Sequence, residues 1–145
     1  MNTCAFFGHR NYDYTAYLHK IEEMVENVIV NFGVKQFYCG GRGKFDVIGA
    51  KTVKKLQIKY PQIKITQVLS YIPQEKGMVL NDYFDDSVYL LERNVPRRFA
   101  ILETNKLLVD RVDFIISGVE HSYGGAAQAI EYAQRKKKNI INIFI

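Results

Sequence analysis

Hydrophobic and polar residues follow two patterns along this chain, one typical of strands and one typical of helices. Short apolar or alternating runs predict five β-strands, at residues 3–7, 34–39, 64–70, 112–117 and 139–145. Apolar residues spaced three and four apart predict four helices, at residues 15–31, 46–60, 96–108 and 125–137. Segment 73–93 follows neither pattern, which leaves it open between a lid, a dimer contact and a plain connection.

The predicted helices have faces and ends of the expected kind. The first is predicted to bury a stripe formed by Leu18, Ile21, Val25, Val28 and Phe32. Gly33 ends that helix, since glycine readily adopts the left-handed conformation found there. Pro61 ends the second helix, and Pro96 opens the third at its first turn.

Alternation of strands and helices predicts an α/β fold. We expect a single Rossmann-like domain over residues 1–145, with a mainly parallel sheet of about five strands and helices on both faces. Ligands of such sheets bind beyond the carboxyl ends of the strands, near the point where the strand order reverses. The loops after the first, second and fourth strands are therefore the candidates for function.

Composition narrows the class of protein. Of 145 residues, 48% are hydrophobic and 24% charged, which is globular rather than disordered composition. No apolar run reaches the roughly 20 residues of a membrane span, and the first residues lack the features of a signal peptide. We expect no membrane partner and a cytoplasmic location. Cys4 and Cys39 lie in apolar segments, which favours buried reduced thiols over a disulfide between them.

The net charge of +5, with a pI near 9.1, raises the question of an anionic partner. Much of that charge falls on two groups expected to be solvated, on the second helix and at the end of the last. They are Lys51, Lys54, Lys55 and Lys59, and Arg135, Lys136, Lys137 and Lys138. A small phosphorylated molecule is therefore expected as the ligand, and nucleic acid is ranked below it. Three His and two Cys lack ligand spacing, so no metal site is expected.

Two glycine-rich loops are candidates for binding phosphate. The loop after the second strand contains Gly40, Gly41, Arg42, Gly43, Lys44 and Asp46. The loop after the fourth strand leads into the last helix through Ser122, Gly124, Gly125 and Ala126. Glycines let backbone N–H groups approach an anion at the positive end of a helix. The alternatives are a tight turn with Asp46 as helix N-cap in the first loop, and close helix–sheet packing in the second.

The remaining candidates are Gly8, His9 and Arg10 after the first strand, and Glu131 in the last helix. Arg10 can hold a phosphate through two parallel hydrogen bonds. His9 is either an acid–base or ligand-binding group, or a structural histidine that holds its own loop. Glu131 can bond ribose hydroxyls or stabilise an oxocarbenium-like centre, and its alternative is a solvated surface charge.

Three motifs in this order resemble the SMF/DprA–LOG superfamily, and most closely its small YpsA-like branch. They are Gly8-His9-Arg10, then Gly40-Gly41-x-Gly43-x-Phe45-Asp46, then Ser122-Tyr123-Gly124-Gly125-Ala126-Ala127. Residues 95–101 and 105–110 also look like that branch. The resemblance implies a Rossmann-like nucleotide-binding fold and a homodimer.

The LOG branch of that superfamily hydrolyses the N-glycosidic bond of nucleoside 5′-monophosphates. Its motif Gly-Gly-x-Gly-Thr-x-x-Glu places its glutamate on Glu131, but Ala127 and Gln128 replace its third glycine and its threonine. The related pattern also has a basic residue where this chain has Thr104, just before Asn105.

We therefore expect binding of a nucleotide or nucleotide-derived ligand, with no cofactor required. Phosphoribohydrolase activity, with Glu131 and His9 as catalytic candidates, is the alternative. DprA-like binding of single-stranded nucleic acid is the third possibility, since 10 Tyr and 9 Phe can offer stacking surfaces.

Overall fold

The computed structural model describes residues 2–71 and 82–145. Six strands are present: β1 (Thr3–Gly8), β2 (Gln36–Cys39), β3 (Lys64–Leu69), β4 (Asp86–Tyr89), β5 (Phe114–Gly118) and β6 (Asn139–Asn142). Four α-helices accompany them: α1 (Leu18–Phe32), α2 (Lys44–Leu56), α3 (Ala100–Arg111) and α4 (Gly125–Arg135). Short 3-10 turns precede α1 at Thr15–Tyr17 and α3 at Arg97–Phe99. No helix among the described residues is long and apolar enough to cross a membrane.

All six strands form one parallel sheet in the order β4-β3-β2-β1-β5-β6. The predicted α/β class and parallel sheet are confirmed. The strand order reverses between β1 and β5, because the chain builds outward from β1 to β4 and then returns to the other side of β1. The ligand crevice of such a fold lies at this point.

The expected count of about five strands is wrong, because β4 was missed. It lies inside segment 73–93, and three of its four residues are exposed, so no hydrophobic alternation marks it. Hydrogen bonds to Asp85, the residue just before β4, hold the start of the strand instead. The Asp85 carboxylate accepts hydrogen bonds from Ile65 N at 2.8 Å and Gln57 Nε2 at 2.7 Å, and it pairs with Lys54. Residues 73–81 of that segment lie outside the described residues.

Successive residues of β1 enter two separate cores. Cys4 and Phe6 are buried in the core that also holds side chains of α1 and α2. Ala5 and Phe7 are buried in the core shared with α3 and α4. Because neighbouring residues of a strand point to opposite faces, the predicted helices on both faces of the sheet are confirmed.

Several local expectations need correction. Leu18 and Phe32 are 46% and 43% exposed, so only the middle of the predicted stripe is buried. Helix α2 begins at Lys44 with Gly43 as its N-cap, so Asp46 is not the N-cap. Cys4 and Cys39 are buried and free, which confirms the reduced thiols, and burial raises the pKa of both.

A phenylalanine ring fills the point where the strand order reverses. Gly8 and Gly118 are register partners at the ends of β1 and β5. A Cβ atom at Gly8 would lie 2.2 Å from Phe45 Cγ, and one at Gly118 would lie 2.4 Å from Phe45 Cε1. Phe45 is fully buried in the first turn of α2. These two glycines therefore make room for the ring.

Replacing Gly8 by Ala should destabilise the protein, because the new methyl group would overlap Phe45. Overpacking of this kind costs about 1–3 kcal/mol, so the midpoint of urea denaturation should fall. Gly125→Ala is the matched control, since a Cβ there meets nothing within 4 Å. Equal midpoints for Gly8→Ala and the wild-type protein would contradict this packing.

Candidate functional site

A cleft of about 560 Å³ lies beyond the carboxyl ends of β1 and β2. The loops after β1, β2 and β5 line it, together with one side of α3. It gathers most of the predicted site residues: Gly8, His9, Arg10, Gly40, Arg42, Gly43, Asp46, Gly124, Gly125 and Ala126. Gly41, Lys44, Ser122 and Glu131 are not among its lining residues. The three predicted loops thus meet at one place, as the parallel topology requires.

His9 holds the loop after β5. Its Nε2 accepts hydrogen bonds from Glu120 N at 2.8 Å and from His121 N at 3.3 Å. These bonds require an unprotonated Nε2, so the ring is neutral with its proton on Nδ1. Burial and the neighbouring His121 lower the pKa of His9, in agreement with that state. Because the Nε2 lone pair is engaged, the geometry favours a structural His9 over an acid–base group.

Backbone N–H groups of the loop after β2 already have hydrogen-bond partners within the protein. Asp46 Oδ2 accepts a hydrogen bond from Arg42 N at 3.4 Å, and a Cβ on Gly40 would lie 3.3 Å from the same oxygen. Lys44 N, the first N–H of α2, donates to Arg10 O at 2.9 Å. Backbone N–H groups of this loop therefore already face a carboxylate and a carbonyl. What the loop offers a ligand is the Arg42 guanidinium.

The carboxyl group of Asp46 has a raised pKa. Burial raises its pKa to about 6, against the opposing effect of the Arg42 N–H, other loop N–H groups and the Arg42 charge. Burial likewise lowers the pKa of Arg42. A carboxylate that is partly protonated near neutral pH therefore lies in the cleft beside a desolvated guanidinium.

The start of α4 is open where the start of α2 is filled. Gly124 adopts φ +95°, a conformation that favours glycine, and α4 begins at Gly125 with no side-chain cap. A Cβ at Gly124 or Gly125 would meet nothing within 4 Å. Helix α4 has 11 residues, so its N–H groups carry the usual partial positive charge at this end. An anion can approach them from the cleft.

Glu131 lies elsewhere on the same helix. It is exposed and pairs with Arg135 one turn further on, at 3.3 Å. Six residues of α-helix turn through about 600°, which places Glu131 roughly 240° around the axis from Gly125. The structure therefore does not bring Glu131 together with the other predicted site residues.

Helix α3 contributes a wall that sequence reasoning did not assign to the site. Ile101, Thr104, Asn105 and Leu108 line the cleft at helical spacing. Thr104 is 2% exposed, and its hydroxyl has no hydrogen-bond partner among the described residues. Buried polar groups are normally paired, so this hydroxyl is available to a ligand. In the sequence Thr104 appeared only as a departure from a motif.

No protein-family model matches the chain, and no curated protein matches it. Solved structures do. DNA processing protein A (DprA) from Streptococcus pneumoniae has a TM-score of 0.71 and 12% identity, over 98% of this chain and 50% of that one. Helicobacter pylori DprA, which binds single-stranded DNA, has a TM-score of 0.66 and 14% identity, over 97% of this chain and 64% of that one. The Moco carrier protein of Chlamydomonas reinhardtii has a TM-score of 0.61 and 15% identity, over 97% of this chain and 75% of that one.

The chain shares its fold with DprA and with the Moco carrier protein. The predicted fold resemblance is therefore confirmed. The chain spans half of the pneumococcal DprA and 64% of the Helicobacter protein.

The two departures from the LOG motif lie in the first turn of α4. Ala127, in place of the third glycine, is buried. Gln128, in place of the threonine, is exposed. The open helix end is retained, while the threonine hydroxyl of the motif is absent.

Asp46→Asn should change how stability depends on pH. The folded pKa of about 6 exceeds the roughly 3.9 of an unfolded Asp. Between these values the folded state holds a proton that the unfolded state releases, so wild-type stability rises as pH falls through this window. The Asn variant should lack about 1–3 kcal/mol of that rise and be the more stable protein above it. Urea titrations across the window measure this.

Glu92→Gln, at an exposed carboxylate, is the matched control and should keep the wild-type pH profile. An unaltered profile for Asp46→Asn would show that Asp46 has an ordinary pKa.

Thr104→Val should stabilise the protein without ligand, because it removes an unpaired buried hydroxyl and keeps the branched shape. The gain is limited by the desolvation penalty of the hydroxyl, about 1–3 kcal/mol. Thr104→Ser retains a hydroxyl and should show no gain in thermal denaturation. A Val variant less stable than wild type would mean that the hydroxyl is paired in solution.

Proposed function

We propose that this cleft binds a nucleotide or a nucleotide-derived small ligand, with a phosphate at the start of α4. The observation that carries the proposal is the uncapped end of α4 at Gly124 and Gly125, open to the cleft that Arg10 and Arg42 also line. Helix N-termini with exposed N–H groups are ready-made anion sites. Two guanidinium groups supply the full charges that a helix end lacks.

The rest of the cleft suits the nucleoside part of such a ligand. A volume of about 560 Å³ lies within the usual range for small-molecule sites. Phe7, Val68 and Leu108 provide apolar surface, while Thr104 and Asn105 provide polar groups among them. A few polar groups in a mostly apolar pocket are what orient a ligand.

Hydrolysis of the base–ribose bond is the less supported alternative. Its predicted carboxylate, Glu131, is outside the cleft, and the Nε2 of His9 already accepts two hydrogen bonds. Asp46 is the only acidic residue lining the cleft within the described part of the chain. Chromatography for free base, with wild-type protein and Asp46→Asn, is the corresponding assay.

Binding of single-stranded nucleic acid is the other candidate, since the Helicobacter DprA neighbour binds such DNA. That likeness concerns the fold. The homodimer that the resemblance implies stays a prediction.

Ala126→Asp should weaken phosphate binding by more than about tenfold without unfolding the protein. Ala126 lies in the first turn of α4 and lines the cleft. A carboxylate there interacts favourably with the helix dipole but repels a bound phosphate. Titration calorimetry with AMP, GMP, CMP and UMP should show more than about a tenfold loss, equivalent to about 1.4 kcal/mol. Ala126→Asn adds similar volume without charge and should retain most of the affinity.

Glu131→Gln, on the same helix but outside the cleft, should bind as wild type does. If none of the four monophosphates binds the wild-type protein, the proposal fails. Tighter binding of a single-stranded oligonucleotide, with affinity falling steeply as salt rises, would favour the nucleic-acid function.

A further inference from the structure

Three aromatic rings form a continuous stack at the edge of the cleft. The rings of His9 and His121 have centroids 3.5 Å apart and planes 16° apart. His121 and Tyr123 follow at 3.8 Å and 14°. All three residues line the cleft. The stack begins at the buried end of β1 and ends at the residue just before Gly124.

Hydrogen bonds fix the orientation of the two histidine rings in this stack. His9 is 7% exposed, and two backbone N–H groups hold its ring. His121 Nδ1 lies 3.0 Å from Tyr123 O. A carbonyl oxygen only accepts, so Nδ1 carries the proton and donates it. The planes of the two histidine rings are thus set by the protein before any ligand arrives, and the Tyr123 ring stacks on the outer one.

The outer end of the stack is open. Tyr123 is 71% exposed, although its inner face is covered by His121. The stack therefore presents one flat aromatic face to solvent beside the open start of α4. A planar base placed on that face would continue the stack at the same spacing.

We propose that Tyr123 is the stacking platform for the base of the bound nucleotide, and therefore a determinant of ligand class. This inference rests on the proposed function, since the phosphate at α4 brings the base to the platform. Stacking strengthens the binding of any flat heteroaromatic ring and does not strengthen the binding of a sugar phosphate without a base. The site should accordingly prefer nucleoside monophosphates to ribose 5-phosphate.

Tyr123→Leu and Tyr123→Phe test this directly. Leucine removes the ring and keeps an apolar side chain, while phenylalanine keeps the ring and is the matched control. By calorimetry, Tyr123→Leu should weaken the tightest of AMP, GMP, CMP and UMP by about 5- to 150-fold. Tyr123→Phe should bind it within about twofold of wild type, and ribose 5-phosphate should bind all three proteins within about twofold of one another.

A spectroscopic measurement separates stacking from general damage to the loop. The ring protons of the bound base should move upfield in the NMR spectra of wild type and Tyr123→Phe, and this shift should vanish in Tyr123→Leu. Unchanged monophosphate affinity in Tyr123→Leu would overturn the platform and leave the proposed function standing. Equal losses for monophosphate and ribose 5-phosphate would also overturn it. Absence of monophosphate binding in wild type would instead overturn the proposed function and this inference with it.

Discussion

The contact of Phe45 with Gly8 and Gly118 determines where the loops of the site begin. Because neither glycine has a side chain, the first turn of α2 sits directly on the ends of β1 and β5. Tyr14 ties the same place together: its hydroxyl accepts a hydrogen bond from His9 N and donates to Gly118 O at 2.6 Å. Both loops therefore leave the sheet from a fixed point, and only then can His9 reach the backbone of the loop after β5.

The two glycine-rich loops look alike in sequence, but their backbone N–H groups meet different partners, and the third residue of each helix contributes to that difference. The third residue of α2 is Asp46, whose carboxylate folds back onto its own loop. An acidic side chain at this position commonly satisfies N–H groups at the start of a helix. The third residue of α4 is Ala127, which has no such group. The protein thus supplies its own anion to the first loop and leaves the second open.

Sequence patterns predicted the features that depend on buried apolar periodicity: a parallel sheet, helices on both faces and three loops at one edge. They did not predict the features that depend on exposed or polar contacts. Strand β4 is mostly exposed and is held at Asp85, so it has no apolar pattern. Glu131 was assigned from a motif, but helical geometry takes it around α4. The Thr104 hydroxyl matters because its neighbours leave it unpaired, which no local pattern encodes.

Ion pairs between helices explain why the net charge says little about the ligand. Lys55 and Lys59 pair with Glu22 and Glu26 of α1 at 2.9 Å, so they connect two helices rather than attract an anion. In the cleft, the helix end and guanidinium groups act on charge, and that attraction weakens as salt screens it. The ring stack that ends at Tyr123 begins on a neutral His9, whose Nε2 is engaged by N–H groups. Stacking on it adds affinity by contact, so phosphate and base are recognised through forces that respond differently to salt.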